Sequence, residues 1–556
     1  MAFIVKKKIH GNEYYYLNEN KRVNGKVKTK TIAYLGKTKT GASKRASEIL
    51  KINERNKNKI EKKRINQENN LQPKKISIEE MAVFCKKKGF VYQSGELYGG
   101  LGGFWDFGHL GVELKNNLKK EWWNFHVHRE DIVGIDGAII TNPKVWEASG
   151  HVGSFVDVAV ICKKCKNQSK IDKYELGKVK CEKCGGEYEN KGEFNPMFTT
   201  NVGPSKEDSV LSYLRPETAQ LIFTNFKSVY DNSRMKLPFG IAQIGKAFRN
   251  EIAPRDFLFR CREFEQMEIE YFVGSEEPCP YKIPNEKILI YSAEAQERNE
   301  EPVKMNIKDA LKKGIIKKDW HAYWLIIEFL WFKNLGANPN NFRIRQHKKK
   351  ELAHYSSDCW DLEYKFPFGW KELQGIADRG DYDLSQHEKF SKKDLRIFDE
   401  STKQKILPKV ICEPSLGVER AFLVFMFDSY FYDNTRNNIV LKLHPKLAPI
   451  KIAVFPIIKK KNFEKISEKI MNNLRTEWNV IYDKSGSIGR RYARNDEIGT
   501  PYCITIDGKS SKSKDVTIRD RNTTKQVRVK ISELRDVLRK LINKEIEFEK
   551  IGKVIE

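Results

Sequence analysis

The chain has 556 residues and no apolar run long enough to cross a bilayer. Its longest, Ala322 to Phe332, is short and contains Glu328, whereas a spanning helix needs roughly 20 apolar residues. No apolar segment follows Lys6-Lys7-Lys8, so the start does not read as a secretory signal, and no membrane partner is expected. A disulfide framework is lacking too. All but four of the ten cysteines are scattered singly, which fits a reducing, cytoplasmic setting. The glycine cluster Gly99-Gly100-Leu101-Gly102-Gly103 is not followed by Gly-Lys-Ser/Thr, which excludes a P-loop. Acidic residues are scarce at both ends. Residues 1–75 hold 21 Lys and Arg against 6 Asp and Glu, and residues 441–556 hold 27 against 15. Almost none of the net charge of +28 is left for the residues between. The two ends suit a polyanion and the middle something smaller.

The length and a 40% hydrophobic content allow several domains with real cores. Residues 1–75 read as a small basic N-terminal β appendage. Its strands Phe3-Ile4-Val5, Tyr14 to Leu17 and Thr31 to Leu35 are joined by turns at Gly11-Asn12 and Asn24-Gly25, and a lysine- and asparagine-rich helix or coil follows from Ser43 to Asn70. The stretch Arg22 to Gly36 resembles the start of some transposases. Phosphate contacts by this arm and a merely solvated tail are both open readings.

The informative centre is Leu237 to Tyr271. Two apolar stretches flank the breaker Ala253-Pro254-Arg255-Asp256, with residues 257–262 alternating as if already in the second strand. Arg249, Arg260 and Arg262 and Glu251, Glu263, Glu265 and Glu268 are interleaved with core-type residues. Such charges are costly unless they pair or meet a ligand. The pattern Phe-Arg-Asn-Glu, loop, Arg-x3-Phe-x3-Glu resembles the second signature motif of the class II aminoacyl-tRNA synthetases, in wording that matches the glycyl-tRNA synthetase family. Gly99 to His151 resembles the first, dimer-forming motif, with His109 where a proline is usual. Glu413 to Arg420, running into an apolar helix, resembles the third.

The resemblance implies an α/β multidomain protein. A class II catalytic domain over 76–440, an antiparallel sheet with flanking helices, would carry insertions at about 160–190 and 275–350. An α/β anticodon-binding domain would follow over 441–556, where strands at 450–457, 479–482, 502–506, 516–518 and 526–529 alternate with helices at 463–474 and 531–541. The aromatic helix Trp320 to Leu335 reads as core.

The implied activity joins glycine to ATP and then to tRNA(Gly), in a homodimer. Arg249 would meet the α-phosphate, and Arg260 and Arg420 the ATP tail. Phe264 would stack on adenine, Glu251 would accept from its amino group, and Glu372 would help hold Mg2+. Asn250, Phe259, Leu373 and Gly417 complete the ATP set. For glycine the resemblance implies Lys170, Glu217 (in Arg215-Pro216-Glu217-Thr218-Ala219-Gln220), Phe264, Glu265, Gln266, Met267, Glu268, Glu413, Pro414, Ser415 and Gly417. Lys170 stands where relatives tend to have an arginine. Glu217, Glu268 and Glu413 would cage the ammonium, unless Arg215, Arg260 and Arg262 neutralise them.

Cys162-x2-Cys165 and Cys181-x2-Cys184 are separated by fifteen residues. This pattern suits structural tetrahedral zinc with no open position. Two other readings compete. A catalytically inactive synthetase-like protein that binds RNA or assists a polymerase should lack the arginines of the second and third motifs. A ligase for another small amino acid is disfavoured by the Glu217, Glu268, Glu413 and Ser415 set.

Overall fold

The computed structural model describes residues 2–9, 12–23, 26–47, 76–154, 157–171, 176–205, 207–274, 278–353, 355–400 and 402–555. They fall into two compact units, Met1–Lys74 and Lys75–Glu556. The turn residues Gly11, Asn24 and Gly25 and the lysine-rich stretch beyond residue 47 lie outside the described residues.

In the first unit, β1 (Ala2–Ile9), β2 (Asn12–Val23) and β3 (Lys26–Gly36) form an antiparallel sheet in the order β1-β2-β3. A helical segment at 39–47 buries Ala42 and Ala46 against Tyr15, Leu17 and Leu35.

The second unit opens with α1 (Ile78–Lys88), started by a Ser77/Glu80 capping box and stopped by Gly89 at φ 82°. α2 (His109–His126) follows. A nine-stranded sheet contains β4 (Ile132–Ile135). A separate three-stranded sheet, β5 (Asp157–Cys162), β6 (Gln168–Ile171) and β7 (Tyr188–Phe194), carries the cysteine knuckles. The large sheet continues with β8 (Phe239–Phe248), β9 (Glu263–Val273), β10 (Lys287–Tyr291), β11 (Val303–Asn306) and β12 (Phe342–Gln346). It is completed by β13 (Asp358–Phe366), β14 (Gly369–Asp378) and β15 (Lys409–Gly417). Its order is β11-β10-β12-β13-β14-β15-β9-β8-β4. All pairs are antiparallel except β8 with β4 and β10 with β12. Residues from the 275–350 stretch therefore supply one edge of this sheet.

The alternation of β9 divides its residues between two environments. Met267, Ile269 and Tyr271 enter a core with Trp122 of α2 and Trp320, Trp324 and Trp331 of the next helix in the sheet's helical layer. After α3 (Ala219–Ser233), that helix is α4 (Asp319–Asn334), which is buried on nearly every side. The other β9 face carries Phe264, Gln266, Glu268 and Glu270. Two more helices follow: α5 (Tyr382–Ser391) and α6 (Val418–Ser429), the second leading directly out of β15.

The alternation at 257–262 does not make a strand. Phe257–Phe259 form a 3-10 turn whose three side chains are all buried. Asp256 and Phe257 adopt left-handed φ of 59° and 55°. Trp105, Phe366 and Phe368 receive these rings, so packing overrides the local period and β9 begins only at Glu263.

At the C-terminal end, β16 (Ile452–Pro456), β17 (Val480–Tyr482), β18 (Tyr502–Ile506), β19 (Asp515–Asp520), β20 (Gln526–Lys530) and β21 (Lys553–Ile555) form a mixed sheet. Its order is β17-β16-β18-β19-β20-β21. Helices Lys461–Leu474 and Leu534–Ile542 pack on it through Phe463, Ile470, Leu534, Leu538 and Leu541. No helix among the described residues is long and apolar enough to cross a membrane.

Candidate active site

Three adjacent strands, β14, β15 and β9, lay their inward residues on the floor of a cleft of about 410 Å3. β9 contributes Phe264, Gln266 and Glu268, and β15 contributes Glu413, Ser415 and Gly417. A register irregularity opposite Leu362/Glu363 lets both Glu372 and Leu373 of β14 reach it. Arg249, Glu251, Phe259, Arg260, Lys170, Glu217 and Arg420 close the walls.

Four expected site residues do not line the cleft. Glu265 and Met267 are odd-numbered on β9 and turn to the other face. Glu265 pairs there with Lys115 at 2.7 Å and Lys119 at 3.1 Å, and Met267 is wholly buried in the core. Pro414 alternates with Glu413 and Ser415 in the same way and lies opposite Ile376 of β14. Asn250 is fixed through its backbone, whose N–H donates to the Pro196 carbonyl at 2.7 Å.

One end of the cleft is cationic. Arg249 leaves the end of β8 with its Nε donating to the Pro216 carbonyl at 2.9 Å and its guanidinium 5.5 Å from the Phe264 ring centre. Glu251 lies between Lys170, 3.7 Å away, and Arg260, 4.0 Å away. Arg420 occupies the first turn of α6, where the helix dipole disfavours a cation. It is held by the Glu372 carbonyl at 2.9 Å, the Glu372 carboxylate at 3.3 Å and the Phe259 ring at 4.6 Å. Arg420, against an opposing burial effect, and then His347 and Arg249 keep the Glu372 carboxyl below the usual range.

The other end is anionic and buried. Glu217, Glu268 and Glu413 are each less than a tenth exposed. Burial pushes each carboxyl up, but the outcomes differ. For Glu217, His151 at 3.2 Å overcomes burial, with help from Arg379, and the carboxyl stays ionised well below its ordinary range. Glu268, beside Glu217, is raised even though the Thr218 hydroxyl donates to it. Glu413 is pushed up to about 8, because burial and the neighbouring Glu268 and Glu217 outweigh Arg379. Gln266 donates to the Ser415 hydroxyl at 3.2 Å and to no carboxylate of the cage.

The neutralising cation was not found from the sequence. Arg215 donates to the carbonyls of Lys246 and Gly137, each at 2.6 Å, Arg262 to those of Glu251 and Gly102, and Arg260 approaches Glu251. The expected neutralisation by these three is replaced by Arg379. This buried guanidinium donates to Glu413 at 2.8 Å and to both oxygens of Asp383 on α5, at 2.7 and 2.9 Å, and stacks 3.8 Å from the Tyr355 ring centre. A second missed pair is His347 and Asp361, 2.7 Å apart beside Glu372. Burial pushes Asp361 up to about 6 despite His347.

Outside the cleft, the four knuckle sulfurs lie within 4.8 Å of one another. Cys162 and Cys184 Sγ are 3.4 Å apart, and Cys165 and Cys181 Sγ 3.6 Å. Bonds of about 2.3 Å to a tetrahedral zinc place sulfurs roughly 3.8 Å apart, so the donor set fits that ion.

Comparison with known proteins follows the same division. A family profile described as an anticodon binding domain matches residues 451–541, and one described as the N-terminal domain of IS1634 family transposases matches residues 4–68. A solved prolyl-tRNA synthetase from Cryptosporidium parvum superposes with a TM-score of 0.53 at 14% identity, covering 85% of this chain and 77% of its own; this likeness speaks for the fold. A glycine–tRNA ligase of Treponema denticola is 42% identical over 472 residues, 83% of this chain and 96% of the relative. The chain belongs to the glycine–tRNA ligase family. Other members with similar coverage are those of Acetivibrio thermocellus, 44% identical across 83% of this chain and 97% of its own, and Borreliella burgdorferi, 43% identical across 85% and 100%. The resemblance drawn from the three motifs is thus correct in family and in fold. Coverage of 83–85% leaves roughly a sixth of this chain outside these alignments.

Proposed function

We propose that the chain is an ATP-dependent glycine–tRNA ligase that forms glycyl-adenylate and then esterifies the 3′ end of tRNA(Gly). One observation carries this reading: the cationic end and the buried anionic end share one cleft. Arg249 meets the α-phosphate, Arg260 and Arg420 the ATP tail, Phe264 the adenine ring, and Glu251 its amino group. Negative charge grows on the phosphorus oxygens as the glycine carboxylate attacks, and fixed guanidiniums stabilise that charge without reorganising. The carboxylate is already a nucleophile, so positioning does most of the work. Glu372 offers the oxygen ligand that Mg2+ prefers, and the ion supplies charge neutralisation on the phosphates when bound. Exchange of pyrophosphate into ATP should require glycine and fail with alanine, serine or proline. Exchange with another amino acid would reassign the substrate, and exchange with none would leave an RNA-binding relative.

The anionic end takes the glycine ammonium, chiefly through Glu217, with Glu268, Glu413 and Ser415. Glu413 gains its charge as the pH rises through about 8, so the attraction strengthens in that direction. The KM for glycine should fall between pH 6.5 and 8.5 while the KM for ATP stays level. A glycine KM flat or rising over that range would contradict this assignment.

The cysteine knuckles would hold one structural zinc, with four thiolates leaving no open position. Purified protein should contain about one zinc per chain. Cys181→Ser should lose the metal and expose residues 157–194 to protease, leaving the C-terminal sheet protected. Retained zinc in that variant would refute the site. The C-terminal sheet and its basic excess would meet tRNA phosphates, which position the RNA without reading it. A cytoplasmic homodimer completes the reading, through the first-motif block that contains α2.

A further inference from the structure

The first unit has a sheet with two unlike faces. On one, Tyr15 and Leu17 of β2 and Leu35 of β3 are buried under the helical segment at 39–47 through Ala42 and Ala46. β2 alternates regularly against β1, with Lys7 opposite Tyr14 and Val5 opposite Tyr16. Tyr14 and Tyr16 therefore stand on the opposite face from Tyr15 and Leu17. Tyr34, paired with Tyr16 across β2 and β3, joins them there. Its ring centre is 5.4 Å from that of Tyr16 and 6.3 Å from that of Tyr14, and the residue is 46% exposed.

Lysines frame these rings. Lys7 Nζ lies 5.3 Å from the Tyr16 ring centre, and Lys37 Nζ 5.5 Å from that of Tyr14. Both lysines are exposed. The acids of β2 fall elsewhere: Glu13 and Glu19 share the parity of Tyr15, and Glu13 accepts from the Tyr15 hydroxyl at 3.0 Å and pairs with Lys6. The tyrosine face of β2 itself continues with Asn18 and Asn20.

We propose that this tyrosine–lysine face binds single-stranded nucleic acid, with unpaired bases on the rings and phosphates on the lysines. Every base has a π-face, so stacking on aromatics is tolerant of sequence. The 21 basic against 6 acidic residues of 1–75 supply the charge complementarity a polyanion needs. A duplex keeps its bases stacked on one another and cannot use the rings. This is a contact additional to the ligase cleft and does not depend on the assignment of that cleft.

The test uses the full chain and two fluorescent probes, a 12-nucleotide oligouridine and a 12-base-pair RNA duplex, read by anisotropy. Tyr16→Ala with Tyr34→Ala should weaken oligouridine binding about tenfold or more and leave the duplex affinity unchanged. Glycine-dependent pyrophosphate exchange should stay at the parent level. Undiminished oligouridine binding would overturn the proposal, as would an equal loss on both probes. Should the tyrosine variant lose the sheet, Lys7→Gln with Lys37→Gln keeps the test open. These exposed changes should reduce the salt slope for oligouridine by about one per lost phosphate contact, and an unchanged slope would also overturn it.

Discussion

Arg249→Gln will lower glycine-dependent ATP–pyrophosphate exchange by about 10²–10³-fold, with the loss in kcat. The reason is electrostatic. The guanidinium is anchored by the Pro216 carbonyl and backed by the Phe264 ring, so its charge faces the cleft before substrate arrives. Removing one preorganised donor from a developing oxyanion costs about 2.7–4 kcal/mol in comparable sites. Glutamine keeps polar reach but not the positive charge. The variant should unfold at close to the parent's denaturant concentration, since the glutamine amide can still donate to the Pro216 carbonyl that anchors the arginine. A change in KM for ATP alone, with kcat intact, would move Arg249 from stabilising the transition state to uniform binding.

The second large effect is on stability. Arg379→Met will lower the folding stability of the larger unit by about 3–5 kcal/mol, the range for a buried pair broken from one side. Arg379 is almost fully buried and serves Asp383 and Glu413 directly, with Glu217 3.9 Å away. Methionine fills much of the volume but leaves those carboxylates without their cation. The midpoint of urea unfolding, followed by tryptophan fluorescence, should fall clearly. Combining Arg379→Met with Asp383→Asn and Glu413→Gln should recover part of the loss, since fewer charges then lie unpaired. A midpoint equal to the parent's would contradict the ion pairing assigned to Arg379.

These two arginines differ in how they show in the sequence. Arg249 stands in a short, patterned hairpin among apolar strand residues, where a charge calls for an explanation. The same is true of Glu251, Arg260 and Glu268. Arg379 follows β14 with no local oddity. Its partners come from α5 and β15, and only the folded sheet brings them together. His347 and Asp361 are hidden for the same reason, being 14 residues apart, the first just past the end of β12 and the second on β13. The facing of three further residues is legible in the sequence. Period-two alternation already separates Glu265 and Met267 from Phe264, Gln266 and Glu268, and Pro414 from Glu413 and Ser415. At Phe257–Phe259 the opposite holds. Alternation argues for a strand, and two rings with Leu258 between them, all buried, make a turn instead.

The most direct test of the account is a crystal structure with a non-hydrolysable glycyl-adenylate analogue. The account predicts the amino group within hydrogen-bond distance of Glu217 and at least one of Glu268, Glu413 and Ser415, with the phosphate-mimicking group at Arg249 and the adenine on Phe264. An analogue bound with its amino group away from all four of those residues, or its adenine away from Phe264, would contradict it.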